Sequence, residues 1–339
     1  MTRLCVSKLC RSSVNHAGIE GAVRTIVGLA AISLVGLANA QDFPNRPVTL
    51  LVPFAVGSST DIMTRLVAKG LNDRFKTGHF IVENKPGAGG SIATTFVARA
   101  KPDGYMLIVG TGTTHTQNPW LMKNLSYDPV GDFEAVAGIG GVPLGVLVAN
   151  DSPAKTMEDL RNLIGADPGK HAYGTAFGMG TVCGETIKQN FKLDLVQVAY
   201  KSSPQALTDL AGGRIVVMCS DFNSAMGPIR NKQVRALAVT THKRSLQLPD
   251  VPAITEIFPG FPEMVSWVGV FAPKGTPAEI VQRLAPAILE VTGSAEFLKT
   301  LEPNGFQRLA LSETALTSFV KEELVKWEKL IKKSGIEPQ

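Results

Sequence analysis

Short apolar runs alternate along this chain with longer amphipathic stretches, and this alternation limits the possible folds more than any other feature. Val48–Val52 has the composition of a buried strand, and the apolar residues of 62–71 recur at helical spacing. Apolar runs at 80–82 and 106–109 predict two more strands. Strands that alternate with helices in this way favour a mostly parallel sheet with helices on both faces. The predicted fold class is therefore α/β.

The pattern starts again after residue 142, so we expect two α/β domains of similar design. A length of 339 residues suits two domains of ordinary size. Domain 1 is predicted to comprise 43–142 and 264–339, and domain 2, residues 143–263, is inserted into it. In the second half we predict strands at 146–148, 172–175, 196–199, 215–218, 235–240 and 265–271, and helices at 157–166, 278–293 and 312–334.

The first forty residues have the layout of an export signal. Basic residues precede the uncharged run Ile26–Leu37, and Ala38-Asn39-Ala40 then supplies small residues around a cleavage site. As a helix that run spans about 18 Å, well short of a hydrocarbon core of about 30 Å. We therefore predict a signal peptide of residues 1–40 that is cleaved after Ala40, and a mature chain that is exported.

The charge of the chain gives no sign of a nucleic-acid partner. The sequence carries 34 Lys and Arg against 29 Asp and Glu, a formal charge of +5. The predicted signal peptide contains four of these basic residues and one of the acidic residues, so about +2 remains on the rest of the chain. The basic clusters His242-Lys243-Arg244 and Lys332-Lys333 resemble solvated surface. We therefore predict no nucleic-acid partner.

Polar, glycine-rich segments follow several predicted strands, and these segments form the candidate binding site. In open α/β sheets, ligands bind outside the carboxyl ends of the strands. Helix N-termini at those ends offer unpaired N–H groups and a partial positive charge, which suit a carboxylate or another small anion. Any one such turn can serve only the backbone and the helix cap, so the prediction depends on several turns converging. The segments are 57–61, 87–91, 111–115, 178–181 and 220–221.

Motifs for cofactors, metals and catalysis are missing from the sequence. It contains no phosphate-binding loop, no G-x-G-x-x-G, no G-x-S-x-G elbow and no C-x-x-C or H-E-x-x-H pattern. We therefore predict no catalytic residue, no cofactor and no metal, and a protein that is not an enzyme. Cys183 and Cys219 follow the signal peptide and could pair in an oxidising compartment, but we favour two free or buried thiols.

Three polar residues near predicted strand ends each allow more than one role. For His115, which lies just beyond a strand, a structural hydrogen bond is favoured over a catalytic base because no partner is evident. Asp61 is favoured as an acidic residue that stabilises the first turn of a helix. Asp221 could meet a cationic group on a ligand or cap the next helix, and both roles remain open.

Several motifs occur along the chain in the order in which a known family has them. They are FPNRP at 43–47, VPFAVGSSTD at 52–61, VENKPGAGG at 82–90, AKPDGY at 100–105, THTQNP at 114–119, YDPVGDF at 127–133, RALAVT at 235–240, LPDVP at 248–252 and APKGTP at 272–277. On these motifs the chain resembles the Bug-type, or TctC-like, substrate-binding proteins of tripartite tricarboxylate transport systems. The resemblance covers essentially the whole chain after the signal peptide.

The resemblance implies a periplasmic binding protein-like (type II) fold, with two doubly wound domains and a ligand cleft between them. It implies a periplasmic solute-binding protein that captures a small organic acid for TctA/TctB-like membrane subunits, and it suggests a monomer. Carried over residue by residue, it selects as ligand-binding residues Gly57, Ser58, Ser59, Thr60, Thr111, Thr113, His115, Asn118, Gly180, Thr181, Val182 and Asp221.

The chain departs from the family pattern on the side of the ligand. Val56 and Ser58 replace the family's Pro and second Gly, and residues 176–184 contain one inserted residue and lack the family's His. The identity of the acid is therefore not carried over. Two other functions stay open at this stage, a ligand-sensing periplasmic component of a signalling system and an exported α/β hydrolase.

Overall fold

The computed structural model describes residues 43–76 and 78–338, so the predicted signal peptide lies outside the described residues. The strands are β1 Val48–Val52, β2 Phe80–Asn84, β3 Met106–Thr111, β4 Phe133–Ala149, β5 His171–Thr175, β6 Leu195–Ala199, β7 Val217–Asp221, β8 Val234–Val239, β9 Val265–Pro273 and β10 Gln307–Arg308. The helices are α1 Ser59–Arg74, α2 Ser91–Ala98, α3 Asn118–Leu121, α4 Met157–Ala166, α5 Gly178–Phe191, α6 Ser203–Ala211, α7 Phe222–Arg230, α8 Ile254–Ile257, α9 Ala278–Thr292, α10 Ala295–Leu301 and α11 Glu313–Lys333. Within these ranges no helix has both the length and the apolar character needed to cross a bilayer.

The strands form two half-sheets that share the long strand β4. The first half-sheet has the order β2–β1–β3–β9–β4–β10, and the second has the order β6–β5–β7–β4–β8. Residues 133–143 of β4 pair with β9 in the first half-sheet, and residues 144–149 pair with β7 and β8 in the second. The chain therefore passes between the half-sheets within one extended segment.

The sheet is mixed, which corrects the expectation of a mostly parallel sheet. β1, β2 and β3 are parallel to one another, and so are β5, β6 and β7, because helices connect them. β9 runs antiparallel to both β3 and β4, and β4 runs antiparallel to β7 and β8. The physical reason is that β4 leaves the first half-sheet as an extended strand and β9 returns beside it in the opposite direction.

Most predicted strands and helices are confirmed with shifted ends, and two predictions need correction. The strand predicted at 146–148 is only the last part of β4, which begins at Phe133. The glycine-rich turn predicted at 178–181 is the first turn of α5. Several elements had no counterpart among the predicted ones, namely helices α3, α5, α6, α7, α8 and α10 and strand β10.

Cys183 and Cys219 form a disulfide, so the expectation of two free thiols was wrong. Both residues are almost fully buried, Cys183 on α5 and Cys219 on β7. Helix α5 packs against β7, and this brings two Cα atoms that are 36 residues apart in sequence to within 6.2 Å of each other. Such a distance is compatible with a disulfide. It arises from tertiary packing, which the spacing of the cysteines does not encode.

Candidate ligand-binding cleft

A cleft of about 350 Å³ lies at the carboxyl ends of strands from both half-sheets. β1 and β3 contribute from the first half-sheet, and β5, β6 and β7 contribute from the second. This is the edge of an α/β sheet at which ligands bind. The lining residues are Phe54, Ser58, Ser59, Thr60, Thr111, Thr113, Ala176, Phe177, Ser202, Ser203, Asp221 and Ser266.

Four helices begin at this cleft, because the residue that caps each N-terminus is among the lining residues. The caps are Ser58 of α1, Phe177 of α5, Ser202 of α6 and Asp221 of α7. The first turn of a helix has N–H groups without an intrahelical partner, and the helix dipole places partial positive charge there. The cleft therefore attracts a small anion without any basic side chain among its lining residues.

The four helix starts differ in how their N–H groups are satisfied. The Ser58 Oγ accepts a hydrogen bond from the Asp61 N–H at 3.3 Å, and the Asp221 Oδ1 accepts one from the Ser224 N–H at 3.0 Å. Phe177 and Ser202 make no such bond with their side chains. The first turns of α5 and α6 therefore have no capping side chain, although the Gly178 N–H at the start of α5 donates to the Thr113 Oγ1 and Pro204 in the first turn of α6 has no N–H.

Asp61 holds the loop before α1 and does not line the cleft. Its carboxylate accepts hydrogen bonds from the Gly57 N–H and the Asn84 Nδ2, both at 2.9 Å, and from Arg65. Burial raises the pKa of Asp61, but the hydrogen bonds from Arg65, Gly57 and Asn84 outweigh burial and lower it overall. The residue stays charged and fixes the position of Gly57, which adopts a positive φ of 80°.

Direct hydrogen bonds join the two sides of the cleft. The Asn223 Nδ2 on α7 donates to the Ser59 Oγ on α1 at 3.0 Å. The Gly178 N–H at the start of α5 donates to the Thr113 Oγ1 at 3.1 Å. These bonds hold the helix starts from the two half-sheets in contact.

Asp221 is the one ionisable side chain among the described residues that line the cleft. It ends β7 and is 4% exposed. Burial raises its pKa, and hydrogen bonds with Ser224 and Ser59 oppose that rise without cancelling it. Of the two roles left open for this residue, the helix cap is present, and the carboxylate also faces the space available to a ligand.

His115 lies in the hydrophobic core and not at the cleft. The ring is fully buried, is stacked on Phe271 at 4.0 Å between centroids and lies 5.2 Å from the ring of Phe133. The Nδ1 is 2.9 Å from the Thr114 Oγ1. Burial lowers the pKa of His115 to about 3. A neutral, packed imidazole of this kind has a structural role.

The remaining predicted residues lie beside the cleft or in the core. Asn118 and Thr181 line a larger outer cavity of about 1680 Å³, which shares Ala176 and Phe177 with the cleft. Val182 is fully buried in the core of the second half-sheet. Gly180 is inside α5, and Gly57 faces Pro204 at the start of α6.

The structure brings together the predicted residues Ser58, Ser59, Thr60, Thr111, Thr113 and Asp221. Sequence reasoning missed the other half of the lining, namely Phe54, Ala176, Phe177, Ser202, Ser203 and Ser266. One available signal was Ser202-Ser203-Pro204, since a serine cap followed by a proline in the first turn marks a helix start after a predicted strand. Among the described residues, no group of three or more His, Cys, Asp or Glu side chains is placed to hold a metal.

Comparison with known proteins identifies the family. The model of the TctC family, described as the tripartite tricarboxylate transporter family receptor, matches residues 63–336. The chain belongs to this family. A UPF0065 protein of Bordetella bronchiseptica is 34% identical to this TctC receptor over 328 residues, which cover 95% of this chain and 96% of the relative.

Solved structures of relatives have the same fold. R. palustris Rpa4515, solved with adipate, is 34% identical in sequence to this chain, and the two structures superimpose with a TM-score of 0.84. The match covers 88% of this chain and 100% of the Rpa4515 chain. The periplasmic binding protein BugD gives 32% identity, a TM-score of 0.83 and the same coverage. MatC (Rpa3494) of Rhodopseudomonas palustris, solved with bound malate, has 30% sequence identity to this chain and a TM-score of 0.81. The match covers 85% of this chain and 100% of the MatC chain. This TctC receptor has the two-domain, type II fold of the periplasmic binding proteins.

Proposed function

We propose that this protein is a periplasmic receptor that captures a small carboxylate in the cleft between its two half-sheets and delivers it to a membrane transporter. The observation that carries the proposal is the meeting of four helix N-termini at one cleft. Backbone N–H groups at such ends bind anions in many proteins. Membership of a receptor family and the absence of a catalytic motif in the sequence both agree with binding and not turnover.

The relatives support a carboxylate as the ligand. Rpa4515 is known with adipate and MatC with malate, and both align with essentially their whole length to this chain. Serine and threonine hydroxyls in the cleft add neutral donors and acceptors for the oxygens of such a ligand.

The finer features of the account are proposals as well. We infer a signal peptide cleaved after Ala40, a mature monomer in the periplasm, and TctA/TctB-like membrane subunits as the partners that receive the ligand. Domain 1 would comprise 43–142 and 264–339, and domain 2 would comprise 143–263. The passage of the chain through β4 and back through β9 supports boundaries close to these. Closure on a ligand requires the closed state to bind it more tightly than the open state does.

Calorimetry with a panel of mono-, di- and tricarboxylates and amino acids tests this function. We expect at least one member of the panel to bind with a dissociation constant below about 1 mM, roughly 4 kcal/mol of binding free energy. Solution scattering should give a smaller radius of gyration with that ligand. A panel in which nothing binds below millimolar, with no compaction, would contradict the receptor function. A pull-down of detergent-solubilised membrane subunits, with and without the ligand, tests delivery to a transporter.

A further inference from the structure

A glutamine is buried beside the cleft without a hydrogen bond to either atom of its amide group. Gln117 ends the π-helical turn Thr113–Gln117, which follows β3, and its exposed fraction is 0%. Neither its Oε1 nor its Nε2 has a hydrogen-bond partner among the described residues. Buried side-chain amides in proteins usually have at least one partner, so Gln117 is an exception whose physical consequence can be derived.

The amide group of Gln117 lies where the two half-sheets meet. A Cβ at Gly178, the first residue of α5, would lie 2.8 Å from the Gln117 Oε1, and a Cβ at Gly112 would lie 3.1 Å from the Gln117 Nε2. Gly112 follows β3 of the first half-sheet and stands between Thr111 and Thr113, which line the cleft. Helix α5 follows β5 of the second half-sheet. The amide is therefore enclosed between the two sides of the cleft.

The polar groups around the amide make their hydrogen bonds elsewhere or are donors themselves. The Gly112 carbonyl accepts a hydrogen bond from the Thr116 Oγ1 at 2.7 Å, and the Thr113 Oγ1 accepts one from the Gly178 N–H at 3.1 Å. The Trp267 Nε1 would lie 3.2 Å from a Cβ at Gly112, and it is a buried donor without a partner among the described residues. Contact between the two sides thus encloses the amide without giving it a partner from the protein.

Burial of the amide depends on this contact between the two sides. If α5 moved away from the turn at 113–117, the Gln117 Oε1 would lose Gly178 as its cover and could accept hydrogen bonds from water. A polar group that loses water and gains no partner raises the free energy of the buried state, whereas an apolar group of the same shape does not. The unfavourable contribution of the amide therefore arises only when the two sides join.

We propose that Gln117 is an affinity-limiting residue, whose buried amide opposes contact between the two sides of the cleft and so keeps the receptor open until a ligand binds. This inference rests on the proposed function, because it requires the two sides to come together around a ligand. A ligand shifts such an equilibrium only by its difference in affinity for the two states, and part of that difference offsets burial of the amide. Gln117 is not among the residues that line the cleft, so it acts on this equilibrium and not through contact with the ligand.

Replacing Gln117 with an apolar side chain of similar size tests the proposal. In Gln117→Met we expect calorimetry to give an affinity for the tightest-binding carboxylate of the panel that is about fivefold higher than in the wild type, or more. Solution scattering without ligand should give a smaller radius of gyration than the wild type has, because contact between the two sides is no longer opposed. Gln117→Leu, a second apolar variant, should change both quantities in the same direction.

The control variant is Gln282→Met, which makes the same replacement at an exposed position on α9 outside the cleft and should leave both quantities unchanged. Thermal unfolding checks that the variants are folded. Equal or weaker binding by the folded Gln117 variants would overturn the proposal while the carboxylate receptor stands. If no carboxylate binds to any of these proteins, the proposed function fails. The radius of gyration without ligand then decides on Gln117 alone, since a smaller value in Gln117→Met supports the proposal and an unchanged value overturns it.

Discussion

The Asn223 Nδ2 donates a hydrogen bond to the Ser59 Oγ at 3.0 Å, and this bond joins α7 to α1 across the cleft. The Asn223 Oδ1 in turn accepts a hydrogen bond from the Asn304 Nδ2 at 3.2 Å. One side chain thus connects the helix start of the first half-sheet, the helix start of the second and the turn at Glu302–Asn304. We call the Asn223 side chain the latch, because its hydrogen bonds connect the two sides of the cleft.

Replacing the latch should weaken ligand binding more than it weakens the fold. We expect Asn223→Ala to raise the dissociation constant of the tightest-binding carboxylate of the panel about threefold to tenfold, since a hydrogen bond of this kind contributes about 0.5–1.5 kcal/mol. Calorimetry measures the change, and scattering should give a larger radius of gyration with ligand than in the wild type. Asn190→Ala, which removes a hydrogen bond within α5, is the control and should leave affinity unchanged.

Gly178 is expected to be essential for contact between the two sides of the cleft. A Cβ at this position would lie 2.8 Å from the Oε1 and 3.2 Å from the Cβ of Gln117, which is fully buried. Overpacking of this kind costs about 1–3 kcal/mol, so if the cost falls on the bound state, Gly178→Ala should weaken binding about fivefold or more. Gly165→Ala in α4 meets no atom within 4 Å and should bind normally. Equal affinity in the two variants would contradict this role.

The disulfide between Cys183 and Cys219 should stabilise the second half-sheet. The bond closes a segment of 36 residues, for which restriction of the unfolded chain predicts a contribution of about 3–4 kcal/mol. Guanidinium unfolding with and without a reductant measures it. The double variant Cys183→Ser/Cys219→Ser should have about the stability of the reduced wild type, with or without the reductant. A wild type whose stability does not change on complete reduction would contradict the prediction.

His115 should make the protein less stable in mild acid. Burial lowers the pKa of His115 from its ordinary value of 6.5 to about 3, so below pH 6.5 the unfolded chain takes up a proton that the folded chain does not. Stability then falls as the pH drops from 6.5 towards 3, by about 2 kcal/mol at pH 5. Urea unfolding at about pH 7 and pH 5 should show a smaller loss in His115→Gln than in the wild type. The exposed control His242→Gln should keep the wild-type loss.

The fold was predictable where the local sequence pattern agrees with the tertiary structure. In the long strand β4 the local pattern and the tertiary structure disagree. Its segment contains Gly138, Gly140, Gly141 and Pro143, which locally favour a turn. In the structure these glycines allow close packing, since a Cβ at Gly140 would lie 2.2 Å from the ring of Phe306. A partner that is distant in sequence makes this segment a strand, and no local pattern contains that partner.

The cleft was predictable in part for a similar reason. Ser58, Thr111 and Asp221 follow recognisable strands, and the carboxyl ends of parallel strands share one edge of a sheet. His115 and Val182 belong to motifs that resemble the family's, but the direction of a side chain on a helix depends on packing. His115 therefore enters the core between aromatic rings, and Val182 enters the core beneath α5.

The central claim, that helix N-termini bind the carboxylate, is tested most directly by placing a competing carboxylate at one of them. Ser202→Asp would cap α6 within the cleft, whereas Ser312→Asp would cap α11 at an exposed position outside it. Aspartate is a favourable cap and suits the helix dipole, so Ser312→Asp should fold as stably as the wild type. Ser202 is 7% exposed, so burial of the new charge opposes this gain in Ser202→Asp, and thermal unfolding checks that the variant is folded. Calorimetry with the tightest-binding carboxylate of the panel should give at least tenfold weaker binding to Ser202→Asp and wild-type binding to Ser312→Asp. Wild-type affinity in a folded Ser202→Asp variant would contradict the account.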